Sequence, residues 1–224
     1  MYLSKVVLQE SVQAKQELMK VFINGVYATH QLIWKLFPDC EERVFLYRED
    51  KDHVGRPIYY ILSLGEPVQN RLLFDVKTKH FSPKVFEGQR LAYQLRANPT
   101  VAVKSNGGKS KRHDVMMHAK YEAKKNGVES SVKINAIMDQ AAQHWLTNEK
   151  RLQRWGFKLD ALPHVEYSQK HESNKHNKNK ITFTSVDYQG VLTVADPEIF
   201  LESLYQGFGR SRSMGCGLML IRNV

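Results

Sequence analysis

Short apolar runs bounded by polar, turn-forming stretches alternate along this chain with segments whose apolar residues recur three and four apart. The pattern predicts a strand over 2–8, rich in Val and Leu, then a polar stretch and a helix over 25–37 that stops before Pro38. Strands over 44–47 and 58–64 follow, parted by a charged turn of Asp and Gly. After Pro83 a strand over 90–96 ends at Asn98 and Pro99. The order strand, helix, strand, strand, unassigned segment, strand suits a ferredoxin-like sandwich.

From 104 to 126 the composition turns to Gly, Ser, Lys and His. Lys104, Lys109, Lys111, Arg112, Lys120, Lys124 and Lys125 face only Asp114 and Glu122, which predicts a basic connector. A long amphipathic helix over 130–156 comes next, with Val132, Ile134, Ile137, Met138, Ala141, Ala142, Trp145 and Leu146 on its apolar face. Strands over 162–167, 181–188 and 191–194 precede a helix that starts at Pro197 and runs to 205, then a glycine loop and a strand over 218–221. Both halves run strand and helix in similar order, a repetition of pattern rather than of residue identity. The expected fold is therefore α+β in two domains, 1–103 and 127–224, joined by the connector 104–126.

Charge adds a partner class. With 33 Lys and Arg against 23 Asp and Glu, a net +10, the surface attracts polyanions, nucleic acid first among them. The two cysteines, Cys40 and Cys216, stand far apart in sequence, so neither a disulfide framework nor a Cys-based zinc site is suggested, and a reducing compartment fits. Cys216, between glycines, suits a small buried residue better than a nucleophile. His113, His118, His171 and His176 show no tight metal-ligand spacing, so no metal and no cofactor is expected. The opening MYLSKVVLQE lacks the apolar run of a signal peptide, and no stretch approaches the ~20 apolar residues of a membrane span. A soluble, unexported, cytoplasmic protein is the expectation.

The first helix carries the chemistry. At 100° per residue Val26, Thr29, Ile33, Leu36 and Phe37 share one side, while Tyr27, His30, Gln31, Trp34 and Lys35 lie on or beside the other. Tyr27 and His30, three apart, project a phenol and an imidazole from one turn, with the ammonium of Lys35 in reach of the same place. Cleavage of RNA by its own 2′-hydroxyl needs a group to remove that proton, a group to protonate the leaving 5′-oxygen, and positive charge for the phosphorane. Histidine titrates near neutrality and serves as acid or base; a phenol is a poor base unless perturbed, so Tyr27 acts as base or only orients the nucleophile. An ordinary polar helix face has the same spacing, so other evidence must separate the two.

Two further motifs point to RNA. The loop 207–217, with Gly207, Gly209, Arg210, Arg212 and Ser213, has two G-x-G pairs that let main chain approach phosphates while the arginines add charge-assisted bonds. It fits neither a dinucleotide fingerprint nor a phosphate loop of nucleotide hydrolases, and a tight helix-to-strand turn would also need its glycines. The loop 168–180 places Lys170, Lys175, Lys178 and Lys180, with His171 and His176, against Glu172 alone. Such a cationic finger can lie along a phosphate backbone, and in A-form RNA it would recognise shape rather than base edges. A solvated surface loop has the same composition.

Taken together, MYLSKVVL, YATHQLIWKLFP at 27–38, LRANP at 95–99, GVLTV at 190–194 and the double G-x-G loop resemble, in order and from end to end, the CasE family of CRISPR repeat endoribonucleases. The resemblance implies a pair of ferredoxin-like, RRM-related domains. It implies metal-independent cleavage of CRISPR repeat RNA at the 3′ base of its stem-loop, leaving a 2′,3′-cyclic phosphate and a 5′-hydroxyl. It also implies retention of the hairpin with the other subunits of the type I-E surveillance complex, hence a single turnover. The family's catalytic histidine and tyrosine correspond to His30 and Tyr27, and Lys35 to a basic RNA contact; Gln31 departs from a residue that is basic in some relatives. The competing reading is a non-catalytic hairpin RNA-binding protein on the same fold.

Overall fold

The computed structural model describes residues 1–104, 108, 110–174 and 180–224, with the side chains of 166–170, 172–174 and 180–181 excepted. It divides into two units: Met1–Lys84 with Lys170–Thr182 and Leu204–Leu218, and Val85–Gln169 with Phe183–Ser203 and Met219–Val224.

In the first unit β1 (Tyr2–Leu8) is followed by α1 (Val12–Asn24), α2 (Val26–Trp34), β2 (Phe45–Lys51), β3 (Pro57–Ser63) and β4 (Phe74–His80). The strands form an antiparallel sheet in the order β2-β3-β1-β4, with β1 in register against β3 from Tyr2↔Ser63 to Val7↔Ile58. This is the strand order of a ferredoxin-like domain. The core comprises Val6, Tyr59, Ile61, Phe74 and Val76 from the sheet, packed on Leu32, Ile33, Leu36 and Phe37 from α2 and the turn after it.

Two elements here were not expected from the pattern. The polar stretch is α1, started by Ser11, whose hydroxyl accepts from the Ala14 N–H at 3.0 Å. Its apolar residues do not form one inward face: Ala14 and Val21 are buried while Met19, Phe22 and Ile23 stand exposed. That scatter conceals the helix. The unassigned segment holds β4, in which only Phe74 and Val76 face the core and lysines fill the outer positions, as suits an edge strand.

The second unit is a complete copy of the same plan. β5 (Arg90–Ala97) leads through β6 (Thr100–Lys104), β7 (Ser110–Asp114), α3 (Val115–Lys125), α4 (Ser131–Leu146) and α5 (Glu149–Trp155) to β8 (Phe157–Leu159). Then come β9 (His164–Asn174), β10 (Lys180–Val194), α6 (Pro197–Gln206) and, after a 3₁₀ turn (Arg212–Met214) that belongs to the first unit, β11 (Met219–Asn223). The sheet runs β11-β5-β10-β8, with β9 paired to β10, so counted within the unit its four main strands again take the order 4-1-3-2. The chain is thus α+β with tandem ferredoxin-like domains.

The grouping along the chain differs from the pattern-based one, which ended the first domain at 103. β5 opens the second sheet, because its hydrogen bonds go to β10 (Leu95↔Tyr188) and β11 (Leu95↔Met219). The basic connector contains the second strand of a hairpin, with Arg112 opposite Ala102 on the first, and a helix that Asp114 caps by accepting from the Met117 N–H at 2.9 Å. The long helix 130–156 is two, because the side chain of Asn148 accepts from the Arg151 N–H at 3.1 Å and begins α5. Among the described residues no helix is long and apolar enough to cross a membrane.

Candidate active site

Ala28, Thr29, Leu32 and Ile33 turn α2 inward, which leaves Tyr27 and His30 half-buried at its margin. Leu32 and Ala28 join the expected inward face, whereas Val26 is only half-buried. The Thr29 hydroxyl donates to Glu49 Oε2 on β2 at 3.3 Å and fixes the helix's rotation over that strand.

The His30 imidazole meets the edge of Trp34 at 5.5 Å between centroids and lies 5.8 Å from the Phe45 ring. Its Nδ1 is buried with no hydrogen-bond partner among the described residues. Burial, and then the nearby Arg43 guanidinium, hold its pKa below the ordinary histidine value, so the ring is neutral at neutral pH. A neutral imidazole has a free nitrogen lone pair and so is in the form that a general base needs, though the lowered pKa makes it a weaker base than a solvated histidine.

The loop 207–217 belongs to the first unit, although its place in the chain suggested the C-terminal domain. Its 3₁₀ turn packs on α2 and on β2. Two glycines make this possible by close approach. A Cβ on Gly207 would lie 2.8 Å from Leu46 Cδ1 and 3.2 Å from Arg212 Cδ; one on Gly217 would lie 2.9 Å from Arg212 Cγ and 3.0 Å from the Phe208 carbonyl oxygen. The stem of Arg212 therefore threads between the two glycine pairs, and its Nη1 donates to the Gln206 carbonyl at 2.6 Å. The loop closes on itself through the Phe208 N–H to the Gly217 carbonyl at 2.9 Å. Cys216 is fully buried.

Of the other expected site residues, Lys35 points to α1. Its Nζ is 3.0 Å from Glu17 Oε2, and Glu17 Oε1 also takes Lys20 at 2.7 Å. Five residues from His30 is about 140° around a helix, which carries Lys35 toward α1. Arg210 is exposed and Ser213 half-buried in the loop. Lys175 and Lys178 lie outside the described residues, as do the side chains of Lys170 and Lys180. Among the described residues no group of three or more His, Cys, Asp or Glu is placed to hold a metal ion.

One residue of the site escaped the pattern. Arg43, half-buried just before β2, donates from Nη1 to the Phe45 carbonyl at 2.8 Å. Following Glu41 and Glu42, it resembles part of a solvated charge run, and no local signal marks it.

A family model described as CRISPR associated protein matches residues 1–223. The chain is 29% identical over 224 residues to the CRISPR system Cascade subunit CasE of Escherichia coli (strain K12), covering 98% of each. It is 25% identical over 240 residues to the CRISPR-associated endoribonuclease Cse3 of Thermus thermophilus, covering 99% of each. A solved structure of Thermus thermophilus Cse3 bound to an RNA representing a pre-cleavage complex superposes with a TM-score of 0.69 at 25% identity, covering 99% of this chain and 98% of that one.

Proposed function

Since the chain belongs to the CasE family of CRISPR-associated proteins, we propose that it is the endoribonuclease that cuts CRISPR repeat RNA at the 3′ base of its stem-loop and then stays on the guide RNA as a subunit of the type I-E surveillance complex. Endoribonuclease activity is the family's own, as the Thermus relative's name states. The observation that carries the chemistry to particular residues is the His30 imidazole, neutral by burial and by a neighbouring cation, one turn from a phenol and beside the arginine-bearing glycine loop.

In this reading His30 takes the proton of the attacking 2′-hydroxyl as the bond from O2′ to phosphorus forms. Tyr27 orients that ribose. The bond from phosphorus to O5′ breaks, solvent protonates the departing oxygen, and the products carry a 2′,3′-cyclic phosphate and a 5′-hydroxyl. Nothing in the step requires a metal. Arg212, held between the glycine pairs, neutralises charge on the phosphate backbone. Lys170, Lys175, Lys178 and Lys180 grip the stem through phosphates, and Lys35, Arg210 and Ser213, with the main chain at Gly207 and Gly209, add contacts around the cut.

Incubating excess protein with repeat RNA and mapping the product termini tests this. One cut at the stem base with a cyclic phosphate is expected. Intact RNA despite tight hairpin binding would turn the reading to a non-catalytic RNA-binding protein.

A further inference from the structure

Arg43 belongs to none of the motifs visible in the sequence, and the reaction described above does not use it. Its place is set from two sides. The guanidinium is anchored on the Phe45 carbonyl at 2.8 Å, and the ring of the same Phe45 lies 5.8 Å from the His30 imidazole. The 3₁₀ turn that carries Arg212 packs on β2, the strand that Arg43 leads into, and the Arg212 stem is confined between Gly207 and Gly217; burial, and then the Arg212 charge, hold the Arg43 guanidinium below its ordinary pKa. Two guanidiniums held together in a half-buried place repel one another, and an anion received there relieves that repulsion.

Among the described residues, the groups around them do not supply that anion: Arg212 and Tyr47 are the ones that act on Arg43. On α1, Glu17 is engaged with Lys20 and with Lys35 from the end of α2. On β2, Glu49 stays an anion but its charge falls on Tyr47 and Tyr59 rather than on Arg43, and burial and then Glu49 push the Tyr47 phenol well above its ordinary range, so it is neutral. Tyr27, on α2 itself, is likewise a phenol. The 3₁₀ turn contributes the cation of Arg212.

We propose that Arg43 and Arg212 form a two-pronged anion site beside His30, and that Arg43 receives the non-bridging oxygens of the scissile phosphodiester. A guanidinium fork matches two phosphate oxygens at once and holds the charge that builds on them as O2′ attacks. The same cation adds to the effect of burial in holding the His30 pKa down. This rests on His30 as the proton-moving group, so the two are tested side by side.

The experiment is single-turnover cleavage of the repeat hairpin at saturating protein across pH 5 to 9, with Arg43→Gln, Arg43→Lys and, separately, His30→Ala. Arg43→Gln is expected to slow cleavage by about 100-fold, the scale of losing one preorganised donor to a developing oxyanion, with hairpin affinity held within about threefold by the remaining contacts. It is also expected to move the limb set by His30 to higher pH. The direction is the same whether the neutral or the protonated ring is active, because removing a cation makes the imidazole easier to protonate. Arg43→Lys keeps the charge, so its limb stays in place and its rate recovers to within about tenfold. Arg43→Gln with rate and limb unchanged overturns the inference, as does a lysine variant as slow as the glutamine one. Should Arg43→Gln not fold, an Arg43→Lys variant that folds and cleaves about 100-fold more slowly than the wild type overturns the inference alone. Unchanged cleavage by His30→Ala overturns the reading of His30 whatever Arg43 does.

Discussion

Replacing Gly217 by alanine strikes the joint on which the glycine loop depends. Gly217 has φ +93°, in the left-handed region where a side chain costs roughly 1–2 kcal/mol. The added Cβ would also sit 2.9 Å from Arg212 Cγ and 3.0 Å from the Phe208 carbonyl oxygen, which is backbone and already part of the loop's closure. Overpacking of this kind costs about 1–3 kcal/mol, for a total of ~2–5 kcal/mol. At about 2–4 °C per kcal/mol for a chain of this size, thermal unfolding should fall by roughly 5–20 °C. Relief by swinging the Arg212 stem outward removes its bond to the Gln206 carbonyl and takes the guanidinium off the site. Hairpin affinity should then drop about tenfold, the worth of one charge-assisted contact. Differential scanning fluorimetry and a filter-binding titration read the two effects. A melting shift under about 2 °C with unchanged affinity would refute the packing described for this loop.

Further expectations follow from the same geometry. His30→Ala should slow cleavage by at least ~100-fold while hairpin binding stays largely intact, which single-turnover kinetics beside a binding titration would show. In the free protein the His30 ring should titrate below the ordinary ~6.5, followed by its imidazole proton resonances; a midpoint at or above that value contradicts its burial beside Arg43. Because the folded ring resists protonation, His30 favours folding above its unfolded pKa and loses that contribution as pH falls below ~6.5, so stability should decline on acidification and less so in His30→Phe. Arg210→Ala should flatten the dependence of log affinity on log salt by about one unit if it touches a phosphate, and an unaltered slope takes it off the RNA path.

The fold class was legible because both sheets are built from short apolar strands bounded by turn residues, such as 2–8 and 58–64. What escaped was wherever burial is one-sided or the cap is a single side chain: α1 with its scattered apolar residues, β4 with two, and the break at Asn148. The partition of strands escaped too, since nothing in 90–97 itself says that its partners lie some 90 to 130 residues on. At the site, Tyr27 and His30 stood out through helical spacing. The loop's arginines were visible as a motif, but not that Arg212 would reach Arg43, which only folding brings near. For Lys35 the sequence did not show its ion pair with Glu17, because the acid comes from another helix.

The central claim, cleavage by the RNA's own 2′-hydroxyl at His30, is tested most directly in excess EDTA with the cognate repeat RNA beside the same RNA carrying one 2′-deoxy substitution at the mapped cut. The account predicts that only the all-ribose RNA is cut and that its product ends in a cyclic phosphate. Cleavage of the 2′-deoxy RNA at the same bond, or activity that EDTA abolishes, would contradict it.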